Sequence, residues 1–199
     1  LITTRRQKQE ENRQELRADI RLSKWFTETD EQLDEDIFSE IQGGVKDNTI
    51  VFKQWSDKED LENTILETIK EVTGMDSVDD VDGFNRSLGA SFGEGKYSGQ
   101  SYFNSTKKDE VGCAAYVEKW QILAPVRNNA QGVLNMNHLI HERYRENFLE
   151  LASRDRYRKI PSKMGPEGIV YGDKVINLIN TSKKKAFPES SDNYIANGE

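Results

Sequence analysis

The sequence predicts an α/β protein, because segments typical of strands alternate with segments typical of helices. The first pair is a β-branched and aromatic run at 49–55, followed by helical periodicity at 57–72. The second pair is an apolar run at 120–126, followed by a helical pattern over about 131–152. A third apolar segment at 169–179 is interrupted by Gly-Asp. These segments predict a mainly parallel sheet with helices on both faces.

The N-terminal part of the chain is predicted to be helical. Apolar residues recur at roughly helical spacing among charged residues at 7–26, which is typical of an amphipathic helix. A short acidic helix is predicted around 28–40 and should end at Gly43-Gly44. The helix that follows the first strand has Ser56 as its predicted N-cap and Gly74 at its exit.

The remaining segments have no clear period. Residues 75–112 are rich in Gly, Ser, Asp and Asn, so the sequence predicts a long irregular insertion there. The predicted organisation is one domain over 1–165, containing this insertion, followed by a β segment at 166–199. Hydrophobic residues make up 35% of the chain, and even with the 14 glycines this share is below the usual range for globular proteins. The core is therefore expected to be lean.

Composition and charge exclude several classes of protein. The 199 residues include 28 Lys and Arg against 35 Asp and Glu, for a net charge of -7. The acidic excess lies in 27–96, whereas both flanks carry a basic excess. This argues against a protein that coats nucleic acid through charge alone, although either flank could meet phosphates. A single cysteine excludes a disulfide-stapled domain, and the absence of a long apolar run predicts a soluble, cytoplasmic protein without a membrane span.

Two arrangements that suggest bound ligands do not meet the requirements of their sites. Gly95-Lys96 follows a glycine-rich stretch, but the spacing of a phosphate loop requires a glycine at Ala90 and Ser or Thr at Tyr97. His138 and His141 lie three residues apart in a predicted helix, but no suitable third ligand accompanies them. The sequence therefore predicts neither a phosphate loop nor a metal site within this chain.

Three segments resemble motifs of superfamily 1 DNA helicases of the UvrD/RecD type. Residues 1–7 are similar to the motif L-x-x-x-Y-R-S or R-Q, which opens the second RecA-like domain of these enzymes. Arg6 falls on the arginine of this motif. Arg5 takes the place of the tyrosine that stacks on adenine in UvrD-type enzymes, and an arginine plane can also stack on a base.

The second and third matches lie further along the chain. Residues 122–131 read I-L-A-P-V-R-N-N-A-Q and resemble the UvrD/Rep strand and turn with an R-x-N-A-Q core. Over 120–135 the chain also resembles the RecD branch, which is exodeoxyribonuclease V alpha-like and reads W-Q-I-L-x-P-x-R, then Gly-Val and Leu-Asn. Residues 172–180 and 197–199 are similar to the RecD-like motifs G-D-K-V-M-x-x-x-N and N-G-E/D-I-G.

The resemblance implies a fragment of an ATP-dependent DNA helicase that acts in DNA repair. Residues 1–165 would form part of the second RecA-like domain, a partial parallel sheet flanked by helices. Residues 166–199 would lead into a small SH3-like β insertion. The chain lacks a phosphate loop and the Asp-Glu pair that holds magnesium, so we expect that this fragment alone does not hydrolyse ATP.

The same resemblance assigns roles to four residues. Arg6 would be the catalytic arginine that contacts the γ-phosphate, and Arg5 and Arg6 would together contact ATP, which is bound with Mg²⁺ by the intact enzyme. Arg127 and Asn129 would contact single-stranded DNA, because a guanidinium fork and an amide both suit a phosphate backbone. The implied partners are single-stranded DNA and the first RecA-like domain of the same protein.

The residues themselves leave other interpretations open. Arg6 is alternatively a surface charge beside a helix, and Arg127 with Asn129 is alternatively a turn that bonds to itself. The basic residues at 154–163 either extend the DNA-binding face or form a solvated turn. For the whole chain, the alternative is a non-enzymatic α/β interaction module that binds a protein partner through its acidic block at 27–96.

Overall fold

The computed structural model describes two compact units of the chain. They span Leu1–Ser56 and Asp57–Glu199, and each unit has an apolar core of its own. The residues described within them are 17–27, 33–45, 49–104, 112–116, 119–154, 162–176, 181–182 and 194–195. The predicted boundary between a domain at 1–165 and a β segment at 166–199 stays a prediction.

In its described residues, the first unit contains two short helices. Helix α1 spans Ala18–Ser23 and continues into a 3-10 turn at Lys24–Phe26, and helix α2 spans Ile37–Gly43. Both lie within or beside predicted helices, and α2 ends at the predicted glycine pair, where Gly44 has a φ of 89°. Among the residues described for this unit, the apolar core contains the buried side chains of Ala18, Ile37, Ile41 and Val45.

Charged and polar contacts of α1 add to that apolar core. Arg21 Nη2 contacts Glu40 Oε2 at 2.6 Å, and its Nε donates to Asp34 Oδ2 at the same distance. The indole N–H of Trp25 donates to the Asp34 carbonyl at 3.0 Å. Because the Arg21 pairs are only partly buried, we expect each to contribute less stability than the apolar contacts do.

Four helices organise the described part of the second unit. Helix α3 spans Lys58–Thr73, α4 spans Val81–Ser87, α5 spans Val133–Tyr144 and α6 spans Glu146–Ser153. Their apolar faces and the adjoining residues Met75 and Leu88 form a core whose other buried members are Leu66, Ile69, Phe84 and Tyr144. Rings dominate its centre, where Phe84 stacks on Tyr144 with centroids 4.0 Å apart.

The predicted third helix is confirmed as α3, with one correction at its start. Asp57 is the N-cap instead of Ser56, and its carboxylate accepts a hydrogen bond from the backbone N–H of Asp60 at 3.0 Å. A carboxylate one residue further along reaches the third N–H of the helix, which is the usual geometry of an N-cap. The exit at Gly74 is confirmed, because that residue adopts the left-handed conformation with a φ of 72°.

Strands are few in the described residues, and every pairing among them is antiparallel. Strand β1 (Ser91–Phe92) pairs with β2 (Ser101–Tyr102), and β3 (Thr181–Ser182) pairs with β4 (Tyr194–Ile195). An isolated antiparallel bridge joins Met164 to Ile169. The chain is therefore a mixture of helices with small antiparallel sheets. This arrangement is compatible with the α/β class but contains no parallel pairing in the described part.

The predicted strands at 49–55 and 120–126 are not formed as strands in the structure. Both segments lie in irregular conformations, and several of their large apolar side chains are exposed, including Val51 at 70% and Leu123 at 86%. Their composition favours strands, but a strand forms only with a hydrogen-bonded neighbour, and the described residues provide none. At 169–179, the one strand-like contact is the bridge at Ile169, and 177–180 lie outside the described residues.

The stretch at 75–112 is more regular than the sequence predicts. It contains α4 and the β1–β2 hairpin, and Met75, Phe84 and Leu88 contribute to the core of the second unit. A seven-residue helix and two-residue strands are too short to produce a recognisable period. The segment is therefore an integral part of this unit in its described residues.

Asp80 caps α4, and the cap has a predictable pH dependence. Its carboxylate accepts from the backbone N–H of Gly83 at 2.8 Å and of Asp76 at 3.2 Å. These hydrogen bonds favour the ionised form and hold the pKa of Asp80 below its ordinary value. A Cβ at position 83 would lie 2.2 Å from the capping carboxylate, so a larger residue than Gly83 would displace the Asp80 side chain.

We expect Asp80→Ala to lower the free energy of unfolding by about 1 kcal/mol at pH 7. Because the folded-state pKa is depressed, this stabilisation is complete above the unfolded-state pKa and is lost as pH falls through the folded-state pKa. Urea unfolding at pH 7 and at progressively acidic pH should show the difference shrinking. Asp82→Ala, which removes an exposed carboxylate of the same helical turn, is the control. An equal loss in that variant would contradict a specific cap.

Candidate functional site

The turn before α5 contains the two residues that the sequence assigns to DNA. Its backbone is closed by hydrogen bonds from the N–H of Val133 to the Val126 carbonyl and from the N–H of Leu134 to the Arg127 carbonyl, both 3.1 Å long. A third bond, 2.7 Å long, runs from the N–H of Gly132 to the Asn129 carbonyl. The turn is therefore tied directly to the first residues of α5.

Gly132 is the residue that allows this turn to close. A Cβ at that position would lie 2.6 Å from the Arg127 carbonyl oxygen and 2.8 Å from the Asn129 carbonyl oxygen. Both neighbours are backbone atoms, so a side chain would force the turn to open. The closure of this turn thus explains why the Gly-Val pair of the sequence motif begins with glycine.

The side chains of Arg127 and Asn129 are not used to hold the turn. The Arg127 side chain is 74% exposed, and its contact with Glu167 is long, at 3.8 Å. Asn129 contributes its backbone carbonyl, which also accepts from Asn135 Nδ2 at 2.8 Å, while its own side chain makes no hydrogen bond within the described part of the chain. The self-bonded turn and the ligand-contacting side chains are thus compatible, because they use different atoms.

The other residues predicted from the sequence are only partly described. Arg5 and Arg6 lie outside the described residues, so the structure does not bear on their assigned roles. In the basic group at 154–163, residues 155–161 also lie outside, while Arg154 forms an ion pair with Glu150 and Lys163 is exposed. Of the predicted site residues, Arg127 and Asn129 are therefore the pair that the structure places together.

A buried polar network that the sequence reasoning missed lies in the same unit. Arg145 is 1% exposed, and its guanidinium donates to Asp173 Oδ1 at 3.1 Å, to Asn85 Oδ1 at 2.6 Å and to the Gly172 carbonyl at 2.7 Å. The other oxygen of Asp173 accepts from the N–H of Val170 at 2.9 Å and lies 2.7 Å from His141 Nε2. The network thus joins α4, the junction of α5 with α6, and the segment at 170–176.

Aromatic rings surround the guanidinium of Arg145. Its central carbon lies 5.1 Å from the Phe84 centroid, 5.8 Å from Phe103 and 5.9 Å from Phe148. Burial lowers the pKa of Arg145, and the carboxylate of Asp173 acts in the opposite direction. An arginine stays charged under these conditions, so the carboxylate is needed to balance a cation that is almost entirely removed from water.

The geometry at Arg145 also corrects the predicted helix at 131–152. The segment is divided into α5 and α6 at Arg145, which has a φ of -118° and a ψ of 4°. One feature of the sequence indicates that Arg145 could be buried. It is a charged residue among the apolar positions of the predicted helix, directly after Tyr144 and three residues before Phe148. Asn85 has no such signal, because nothing in its own segment distinguishes it from a surface asparagine.

Two of the motif segments contact each other through Lys174. The Lys174 ammonium donates to the Trp120 carbonyl at 3.1 Å. Trp120 in turn packs against the core, with its ring centroid 6.0 Å from that of Phe84. The G-D-K-V segment at 172–175 is held in place by the buried network at Asp173. Its Lys174 contacts Trp120, which begins the segment leading to the Arg127 turn.

The described residues contain no metal site and no helix suited to a membrane. In that part of the chain, no group of three or more His, Cys, Asp and Glu side chains could hold an ion. His138 pairs with Glu142 at 3.0 Å, whereas His141 turns to Asp173, so the two histidines have different partners. None of the helices described is long and apolar enough to cross a bilayer.

Comparison of the chain with protein-family models, curated proteins and solved structures found no match. The assignment of a function therefore depends on the sequence motifs and on where the structure places their residues. The arrangement at the turn and the Arg145 network has no nucleophile paired with a base among its described residues. What it offers is an exposed guanidinium and an amide on a closed turn, supported by a buried ionic network.

Proposed function

We propose that this chain is part of the second RecA-like domain of an ATP-dependent DNA helicase or translocase of the UvrD/RecD type. One observation carries the proposal. Segments 120–135 and 172–180 separately resemble motifs of that family, and the described part of the second, 172–176, is joined to the first by the hydrogen bond from Lys174 to the Trp120 carbonyl. Their arrangement leaves the side chains of Arg127 and Asn129 at the surface.

The contact with single-stranded DNA follows from the chemistry of the turn. Arg127 offers a planar fork of N–H donors to a phosphate, and its weak contact with Glu167 is easily exchanged for a stronger anion. Asn129 adds an amide that can donate to a phosphate or sugar oxygen. Because Gly132 and α5 hold the turn, little conformational entropy is lost on binding.

The exposed apolar segments support the RecA-like part of the proposal. Residues 49–55 and 120–126 have the composition of buried strands, yet Val51, Phe52 and Leu123 are more than half exposed. In the intact domain that we propose, neighbouring strands would satisfy the backbone of each segment, and helices on the faces of the sheet would cover these side chains. The antiparallel pair β3–β4 is in keeping with an SH3-like insertion that begins in 166–199.

In the intact enzyme, ATP and Mg²⁺ would lie between this domain and the first RecA-like domain. Arg6 would contact the γ-phosphate, and Arg5 would stack on the adenine. Positive charge from a second domain stabilises the charge that develops on the transferred phosphoryl group. The chain contains no phosphate loop, so the bound nucleotide would depend on the partner domain.

Binding of a labelled single-stranded oligonucleotide, followed by fluorescence anisotropy at low salt, tests the proposal on this chain. We expect weak binding, since the net charge is -7. Arg127→Ala should weaken it about threefold to tenfold and Asn129→Ala by less, because a charged hydrogen bond contributes more than a neutral one. Arg127→Ala should also reduce the slope of log K against log salt by about 0.7.

Arg143→Ala is the matched control, because it removes the same charge from α5. Arg143 is partly exposed and pairs with Asp79 at 2.7 Å. If it weakens binding as much as Arg127→Ala does, the effect is one of net charge and the turn is not a specific contact. A stable protein partner combined with no effect of DNA would instead favour the alternative, an interaction module that uses the acidic block at 27–96.

A further inference from the structure

The β1–β2 hairpin displays a tyrosine on an exposed and well-defined tip. Residues 94–100 are all exposed, and Tyr97 lies at their centre with 48% of its surface accessible. The tip contains a 3-10 turn at Gly95–Tyr97, and the N–H of Tyr97 donates to the Glu94 carbonyl at 3.1 Å. The N–H of Gln100 then donates to the Tyr97 carbonyl at 3.2 Å. Backbone hydrogen bonds therefore fix the position of Tyr97, while its ring remains exposed to solvent.

Glycines allow the hairpin to take this shape. A Cβ at Gly93 would lie 2.3 Å from the Tyr97 carbonyl oxygen, so the two sides of the tip touch through their backbones. Gly95 and Gly99 have φ values of 58° and 82°, which other residues rarely adopt. Residues 93–99 therefore form a closed hairpin tip with a defined backbone conformation.

Three aromatic rings along this hairpin and its base each lie close to a Lys or Arg side chain, within the distance of a cation–π contact. Lys96 Nζ lies 4.9 Å from the Tyr97 centroid at the tip, and the Arg86 guanidinium carbon lies 5.2 Å from the Phe92 centroid on β1. At the base, Lys119 Nζ lies 3.7 Å from the centroid of Tyr116. The ring of Tyr116 sits beside Gly89, where a Cβ would be 2.8 Å from it, and Gly89 precedes β1 by two residues.

These cations are available to an anionic ligand. Neither Lys96 nor Lys119 forms an ion pair within the part of the chain that the structure describes, and Arg86 acts on Asp80 only through its charge. A protein partner that presents an apolar surface would have to desolvate the lysines without compensation. A nucleic acid supplies a base for the ring and a phosphate for the neighbouring cation.

We infer that the hairpin tip is a base-stacking contact for single-stranded nucleic acid, with Tyr97 as the stacking ring and Lys96 as its phosphate contact. The inference rests on the proposed DNA-binding function, to which it adds a second contact outside the Arg127 turn. Lysine covers one face of the Tyr97 ring, and a base can stack on the other. Stacking on a π-face tolerates every base, so sequence preference should be small.

The test is anisotropy of a fluorescent oligonucleotide of about 12 nucleotides, within the usual site sizes, titrated with the 199-residue chain. Tyr97→Ala should weaken binding about fivefold to tenfold, which is the lower part of the range expected for one base stacked on one ring. Tyr97→Phe should bind within about twofold of the unchanged protein, since it keeps the π-face. Tyr97→Leu should lose as much as Tyr97→Ala, because it keeps only the apolar bulk. Circular dichroism verifies that these exposed-tip variants fold.

The results separate this inference from the function on which it rests. Loss with Arg127→Ala but none with Tyr97→Ala overturns the hairpin contact and leaves the DNA-binding turn in place. Loss with Tyr97→Ala but none with Arg127→Ala supports the hairpin and removes the turn. Retention of oligonucleotide binding by Tyr97→Leu overturns stacking on the π-face in favour of a non-specific apolar contact. Absence of binding by every form overturns both.

Discussion

Asp173→Ala should lower the free energy of unfolding of the second unit by about 3 to 5 kcal/mol, which is the usual cost of breaking a buried ion pair by removing one partner. The Arg145 side chain remains in place at 1% exposure and keeps its charge, but loses its one carboxylate partner among the described residues. The variant also leaves the N–H of Val170 without its acceptor, which is 2.9 Å away in the unchanged protein. The segment at 170–176 should therefore detach from the helices at lower denaturant concentration.

Urea unfolding, followed by far-UV circular dichroism and tryptophan fluorescence, measures this effect. Arg143→Ala is the control, because the neighbouring arginine has an exposed partner and should cost less than about 1 kcal/mol. The double variant Arg145→Met with Asp173→Leu should recover much of the loss, since it removes both charges and fills the space with apolar atoms. A loss below about 1 kcal/mol for Asp173→Ala would show that Arg145 finds water or another acceptor.

In the intact helicase that we propose, Arg6→Ala should reduce ATP turnover by roughly a thousandfold or more, the effect typical of an arginine that stabilises the γ-phosphate. This role comes from the sequence motif, because Arg6 lies outside the described residues. Arg6→Lys should recover little, since an ammonium keeps the charge but loses the planar fork. Steady-state ATP hydrolysis with single-stranded DNA present, together with circular dichroism of each variant, provides the measurement.

Arg5→Ala is the matched variant for this second experiment. An arginine that stacks on adenine contributes to binding in both the ground state and the transition state, so its loss should raise KM with little change in kcat. An unchanged turnover number in Arg6→Ala would remove that residue from the site. Equal reduction of kcat by both variants would point to a disturbed N-terminal segment instead of a γ-phosphate contact.

Local signals were sufficient where the determining contacts lie within a few residues. The glycine pair at 43–44 and Gly74 end α2 and α3 as predicted, because glycine adopts positive φ at a helix exit without steric cost. The closed turn before α5 was also readable, since its hydrogen bonds join residues at most seven positions apart. The N-cap of α3 was misplaced by one residue, because Ser56 and Asp57 are both residue types that suit an N-cap.

The strand predictions show the limit of composition. Residues 49–55 and 120–126 have the β-branched and aromatic character of strands, but whether a strand forms depends on a neighbour that the segment does not contain. The opposite error occurred at 75–112, where polar and glycine-rich composition suggested an irregular insertion. There, Phe84 and Leu88 enter the core and two short strands pair with each other.

The sequence by itself determined the helices with clear periods, the glycine-dependent turns, the acidic balance and the candidate residues Arg127 and Asn129. Only the tertiary structure decided that Arg145 is buried, that Asn85 and Asp173 are its partners, and that Lys174 supports Trp120. Asn85 and Arg145 are 60 positions apart, and Asp173 follows Arg145 by another 28. No periodicity or propensity connects residues at such separations, because the free energy of the contact depends on burial and geometry that exist only after the chain has folded.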